Sequence, residues 1–181
     1  MNSFLRMLCP DEFADSIDSI DIENLRERGI RAMLLDLDNT LVAWQKYDIS
    51  PKVAGWLREA RDLGIKACLV SNSHSSRRVT RLASELGLPF AKKAMKPGGR
   101  GFREALGILG VESGEAVVIG DQVFTDVLGG NRLGMYTILV SPIHPREFIG
   151  TKITRIFERI FLKWLKRRNG SDIEGTNSRK E

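Results

Sequence analysis

Four short apolar runs stand out between Arg31 and Val140: residues 32–36, 65–70, 116–119 and 135–140. Runs this short and this continuously apolar suit strands covered on both faces, as in a parallel sheet. The segments between them carry helix punctuation. Ser50 can cap a helix with Pro51 in its first turn and Gly64 as its stop. Ser73 or Ser75 can cap a second helix ending before Gly87. A third spans 98–109 and closes at Gly110, and a fourth spans 124–133 and closes at Gly134. Strand and helix alternating at this spacing predict an α/β fold, a doubly wound parallel sheet with right-handed crossovers. Ligands bind such sheets outside the carboxyl ends of the strands. The chemistry is therefore expected just after residues 36, 70 and 119.

A different pattern follows residue 150. Ile153, Ile156, Phe157, Ile160, Phe161, Trp164 and Leu165 step by three and one, which predicts one apolar stripe on a helix. Residues 152–168 carry seven basic side chains against a single acid, Glu158, whereas residues 1–151 carry 19 of each sign. The net charge of +5 thus belongs to one segment. The expected organisation is an α/β domain over 1–150, a basic amphipathic helix over 151–168 and a disordered tail over 169–181. Bulky apolar residues backed by positive charge fit a helix lying on an anionic membrane surface, and equally a terminal helix packed on the core. No apolar stretch reaches the length of a membrane span and the N-terminus has no signal-peptide core, so a cytoplasmic location is expected, peripheral at the inner face of the membrane if the helix binds lipid. Cys9 and Cys68 lack metal-binding spacing and suit a reducing compartment.

The expected strand tips carry the chemical side chains. Asp36-Leu37-Asp38-Asn39-Thr40 places two carboxylates at the end of an apolar strand, costly unless positive charge stands between them. A divalent cation would supply it; an Asx-type turn is the plainer alternative. Ser71-Asn72-Ser73 offers hydroxyl, amide and backbone N–H groups at a helix entry, suited to phosphate oxygens or to simple capping. Lys96 precedes Pro97 and a Gly98-Gly99 turn. Gly120-Asp121 and Asp126 put two more acids past the strand ending at 119.

As a set these motifs resemble the haloacid-dehalogenase (HAD) superfamily of phosphohydrolases. The matching residues are Asp36, Asp38 and Thr40, then Ser71, Lys96, and Asp121 with Asp126. The strings LLDLDNTLVAW, VSNS, AKKAMKP and GDQVFTD further resemble its YqeG-type bacterial subfamily, which is similar to phosphatidylglycerophosphate phosphatases of mitochondria and plastids. The resemblance covers residues 8 to 168. It implies an HAD-like Rossmannoid phosphatase using Mg²⁺, with Asp36 as nucleophile and Asp38 as acid and base. Asp36, the backbone carbonyl of Asp38, and Asp121 would hold the metal, with Asp126 supporting directly or through water. Thr40, Ser71, Asn72 and Lys96 would contact the phosphoryl group, and Lys96 would also keep Asp36 ionised.

Many members of that superfamily insert a cap domain between the first two motifs, but Ser71 follows Asp38 by only 33 positions. The domain is therefore expected to be capless, with an open site suited to substrates that exclude water themselves. A phosphorylated lipid headgroup, phosphatidylglycerophosphate by resemblance, is the leading expectation. A phosphoprotein, a nucleic-acid end and a soluble metabolite are alternatives within the enzyme class. A non-catalytic RNA- or ribosome-binding module is the alternative outside it, resting on one basic helix alone.

Overall fold

The computed structural model describes residues 3–72, 76–91 and 94–144. The amphipathic segment 151–168, the tail 169–181 and the candidate caps Ser73 and Ser75 lie outside the described residues.

The strands are β1 (Glu12–Ala14), β2 (Ala32–Leu35), β3 (Lys66–Leu69), β4 (Ala116–Gly120) and β5 (Tyr136–Val140). They form one five-stranded sheet in the order β1-β5-β4-β2-β3, parallel throughout. The helices are α1 (Ser3–Met7), α2 (Ile22–Glu27), α3 (Pro51–Asp62), α4 (Ser76–Leu86), α5 (Gly99–Leu109) and α6 (Leu128–Arg132). Successive strand residues feed opposite cores, as the two-residue period requires. From β2, Met33 and Leu35 join Val53 and Trp56 of α3 and Val79 and Leu82 of α4. Ala32 and Leu34 join Phe102, Ala105 and Leu109 of α5 on the other face. Both faces being covered, every residue of β2 and β4 is buried, and that is why these strands read as unbroken apolar runs.

Local chemistry sets the helix limits. The Ser50 hydroxyl accepts from the Val53 N–H at 3.2 Å, with Pro51 at the first helical position of α3. The helix expected over 124–133 divides in two. Residues Val123–Val127 form a π-helical turn, with the N–H groups of Asp126 and Val127 both donating to the Gln122 carbonyl, and α6 follows. Wider turns of this kind concentrate at functional sites.

Two N-terminal features extend the expected sheet. β1 is a three-residue edge strand paired with β5. Residues 17–30 then supply Ile17, Ile20, Ile22, Leu25 and Ile30 to the α3-side core, and the Trp56 indole donates to the Ile20 carbonyl at 2.8 Å. Between Asp38 and Ser71 the chain forms one loop, α3 and β3, with no further domain. Among the described residues no helix is long and apolar enough to cross a membrane.

Cys68 lies on β3 with no exposed surface, and burial pushes its thiol up to about 12. Alkylation proceeds through the thiolate. Iodoacetamide at neutral pH is thus expected to modify the part-buried Cys9 in the native protein, and Cys68 only after unfolding; peptide mass spectrometry checks this.

Candidate active site

The sheet delivers four chain segments to its carboxyl edge. Asp36 directly follows β2, and its N–H still donates to Ile119 of β4 at 2.9 Å, so its backbone is fixed by the sheet. The chain then turns sharply. Asn39 has φ 63°, a left-handed conformation that asparagine tolerates better than most residues, and its N–H donates to the Val42 carbonyl at 2.7 Å. Inside this turn the Thr40 hydroxyl points to Asp36 Oδ2 at 3.5 Å. Thr40 is almost fully buried.

Lys96 arrives from the loop before α5. Its Nζ donates to Asp36 Oδ1 at 2.5 Å and to Asp126 Oδ1 at 2.6 Å. Burial alone would lower the lysine pKa, but the charges of Asp126 and Asp36 outweigh it and hold the ammonium above its ordinary value. The backbone of Lys96 is fixed by Asn72. That side chain donates to the Lys96 carbonyl at 2.9 Å and accepts from the Lys96 N–H at 2.8 Å. Both amide atoms of Asn72, expected as a substrate contact, thus bond the backbone of Lys96. Ser71 sits beside it at the end of β3, half-buried.

Asp121 follows β4, and Asp126 folds back over the strand end from the π-helical turn. Gly120 makes that approach feasible, since a Cβ there would lie 2.3 Å from Asp126 Cγ. Asp126 Oδ2 accepts from the Gln122 N–H at 3.2 Å.

Asp36, Asp121 and Asp126 each offer a carboxylate oxygen within 4.8 Å of the others. Asp121 Oδ1 is buried and accepts no hydrogen bond among the described residues. Burial, then the charges of Asp36 and Asp126, push the Asp121 carboxyl up to about 7, with Lys96 partly opposing. Burial likewise raises Asp126, against the pull of Lys96. Three acids around one ammonium leave negative charge uncompensated, and the donor set is all oxygen. Such a cluster fits a hard divalent cation.

The carboxylate of Asp38 stands outside this cluster. Its Oδ1 accepts from Arg78 Nη1 at 2.8 Å, while Arg78 Nε and Nη2 donate to the Lys46 carbonyl at 3.0 and 2.7 Å. The two carboxylates at the end of β2 have separate protein partners: Lys96 pairs with Asp36 and Arg78 with Asp38. The Arg78 pairing engages the side chain of Asp38 and leaves its backbone carbonyl, the atom that the resemblance assigns to the metal, unaffected. Sequence reasoning missed Arg78, which lies on α4 and is 5% exposed. Elsewhere, a cavity of about 810 Å³ opens near the start of β3, lined by Leu57, Arg58, Lys66 and Leu88. It holds no carboxylate cluster, and the chemistry points to the opposite end of the strands.

Comparison with known proteins agrees with this geometry. A family model of haloacid dehalogenase-like hydrolases matches residues 6–134. A protein described as a probable phosphatase, YqeG of Bacillus subtilis (strain 168), is 42% identical over 90% of this chain and 94% of its own length. The phosphatidylglycerophosphate phosphatase 1 of Arabidopsis thaliana chloroplasts and mitochondria is 28% identical over 82% of this chain, which spans only 45% of that protein. A crystal structure of an uncharacterized protein from Listeria monocytogenes serotype 4b shares the fold, with a TM-score of 0.52 and 20% identity over 66% of this chain and 85% of that one. The chain belongs to the haloacid dehalogenase-like hydrolase family, in its phosphatase branch.

Proposed function

We propose that this phosphatase hydrolyses phosphomonoesters through an aspartyl-phosphate on Asp36, with Mg²⁺ as cofactor and a phosphorylated lipid headgroup as substrate. The observation that carries the reading is the Asp36–Asp121–Asp126 cluster, with Lys96 bridging Asp36 and Asp126 at the carboxyl edge of the sheet. Asp36, Asp121 and the Asp38 carbonyl would hold the metal, with Asp126 behind them. Bound there, the cation lowers the charge repulsion between Asp36 and a phosphate dianion.

The remaining work falls to the chain. A carboxylate oxygen of Asp36 attacks phosphorus, forming an acyl phosphate and breaking the ester P–O bond. Asp38 gives a proton to the leaving alkoxide, then takes one from the water that cleaves the acyl phosphate, releasing inorganic phosphate and regenerating Asp36. Lys96, Ser71 and Thr40 would face the phosphoryl oxygens, where negative charge accumulates in the transition state. Asn72 would act through its grip on Lys96.

The absence of a cap between Asp38 and Ser71 favours a substrate that brings its own cover, and the plant relative's name supplies phosphatidylglycerophosphate as the first compound to test. A phosphate-release screen with Mg²⁺ should give the highest kcat/KM on detergent-dispersed phosphatidylglycerophosphate, above phosphopeptides, nucleic-acid ends and sugar phosphates. Chelation should abolish release and Mg²⁺ restore it, whereas Ca²⁺, with its larger and looser shell, should restore little. Full activity in excess chelator would remove the metal from the proposal. Preference for a soluble metabolite would remove the lipid.

A further inference from the structure

We propose that the loops around the active-site mouth form an apolar collar that seats the enzyme on an anionic phospholipid bilayer, with the catalytic edge of the sheet facing the headgroups. The proposal rests on the phosphatase reading above and adds a partner surface to it. Nine large hydrophobic side chains are exposed among the described residues, and five of them belong to this edge: Trp44, Tyr47, Met95, Phe124 and Ile143. Each is tied to the site by bonding or by sequence. The Trp44 N–H donates to Asn39 Oδ1 at 3.3 Å, beside Asp38. The Ile143 N–H donates to the Asn39 carbonyl at 3.0 Å. Met95 precedes Lys96 and is 68% exposed. Phe124 stands between Asp121 and Asp126. The Tyr47 ring lies 5.7 Å from the guanidinium of Arg78, which holds Asp38.

Scattered exposed apolar residues are ordinary, but five at one edge of the sheet, including a Trp, a Tyr and a Phe, are not scattered. Aromatic side chains with a polar tip favour the membrane–water boundary. Charge identifies the surface. Lys46 and Arg81 are exposed beside Tyr47, with the Arg81 guanidinium 4.9 Å from its ring. Basic residues flanking apolar tips match anionic headgroups above acyl chains, and such attraction is screened by salt. A phosphopeptide partner would use the same positive charge but gives no role to protruding apolar side chains on several separate loops.

The test uses the full chain and the triple variant Trp44→Gln, Phe124→Gln, Ile143→Gln, which replaces no residue assigned to chemistry. Sedimentation with phosphatidylglycerol–phosphatidylcholine vesicles should show partitioning of the variant reduced about tenfold or more, while hydrolysis of a soluble aryl phosphate stays within about twofold. Wild-type protein should also leave the vesicles as salt is raised. Unchanged partitioning of the variant overturns the collar, as does wild-type protein that stays in the supernatant at low salt. A matching loss on the aryl phosphate would mean that these side chains shape the site, and loss of phosphopeptide turnover with partitioning intact would assign them to a protein partner; either result also overturns the proposal. If partitioning depends on the collar but phosphatidylglycerophosphate is not hydrolysed, the docking surface stands and only the substrate reading fails.

Discussion

Asp36→Asn is expected to reduce phosphate release by more than about 10⁴-fold, the scale of nucleophile removal in covalent catalysis. The fold should survive. Asn keeps the shape of Asp and an oxygen that can accept from Lys96 Nζ, the Asp36 backbone stays bonded to Ile119, and Lys96 retains Asp126 as its counter-ion. What is lost is the anionic oxygen that attacks phosphorus. Asp38→Asn should behave differently, costing about 10²–10⁴-fold on alkyl esters whose leaving oxygen needs a proton, and much less on aryl esters that leave unaided. Steady-state phosphate release on both ester types separates the two roles, and mass spectrometry of acid-quenched wild-type protein should find the phosphoryl group on the peptide containing Asp36. A near-normal rate for purified Asp36→Asn would eliminate the aspartyl-phosphate.

The contrast between these two aspartates marks where sequence is a good guide to this protein and where it is not. The buried strands announce themselves because both faces are covered, and β2 to β5 begin and end within a residue or two of the apolar runs. β1 gives no such signal. Its Glu12-Phe13-Ala14 is only half-buried at the sheet edge and is held chiefly by its pairing with β5. Cap residues and glycine stops locate α3 and α5 well. The π-helical turn at Val123–Val127 is invisible beforehand, because the distinction from an α-helix depends on which carbonyl each N–H selects, and the need to fold Asp126 over Gly120 is a tertiary demand.

The site divides along the same line. Acids at the strand tips are conspicuous in an apolar sequence, so Asp36, Asp38, Asp121 and Asp126 can be picked out by placement. Their counter-ions cannot. Arg78 lies in the first turn of α4, next to Arg77 and near Arg81, and in sequence it has the aspect of a solvated basic face. Only the fold shows that its guanidinium is buried and divided between Asp38 and the Lys46 carbonyl. Two adjacent carboxylates at a strand tip call for positive charge, and either metal or protein can provide it. Asn72 shows the same limit. An amide at a strand tip suits a phosphate oxygen, yet here a loop from 24 residues away claims both of its polar atoms.

Lys96→Met carries the largest expected effect on stability, and its direction depends on the metal. In the cation-free protein Lys96 neutralises part of a buried group of three acids. Removing one partner of a buried pair costs roughly 3–5 kcal/mol, because the charge left behind keeps its desolvation penalty and loses its attraction. Burial already raises Asp126 against the pull of Lys96, so without the ammonium this carboxyl would bind its proton more tightly still in the folded state. A group whose pKa is raised by folding contributes stability below its unfolded pKa and loses it as pH rises through the folded value. The deficit of the variant should therefore be small near pH 4 and grow toward pH 8. A divalent cation supplies positive charge to the same oxygens, so Mg²⁺ should raise the melting temperature of Lys96→Met more than that of the wild type, by preferential binding to the folded state. Activity should stay low even in saturating Mg²⁺, since the ammonium also faces the phosphoryl oxygens. Thermal denaturation across pH, with and without Mg²⁺, tests each step. Equal stability of variant and wild type at pH 8 without metal would mean that the three carboxylates are not ionised together, and the electrostatic account of the cluster would have to be abandoned.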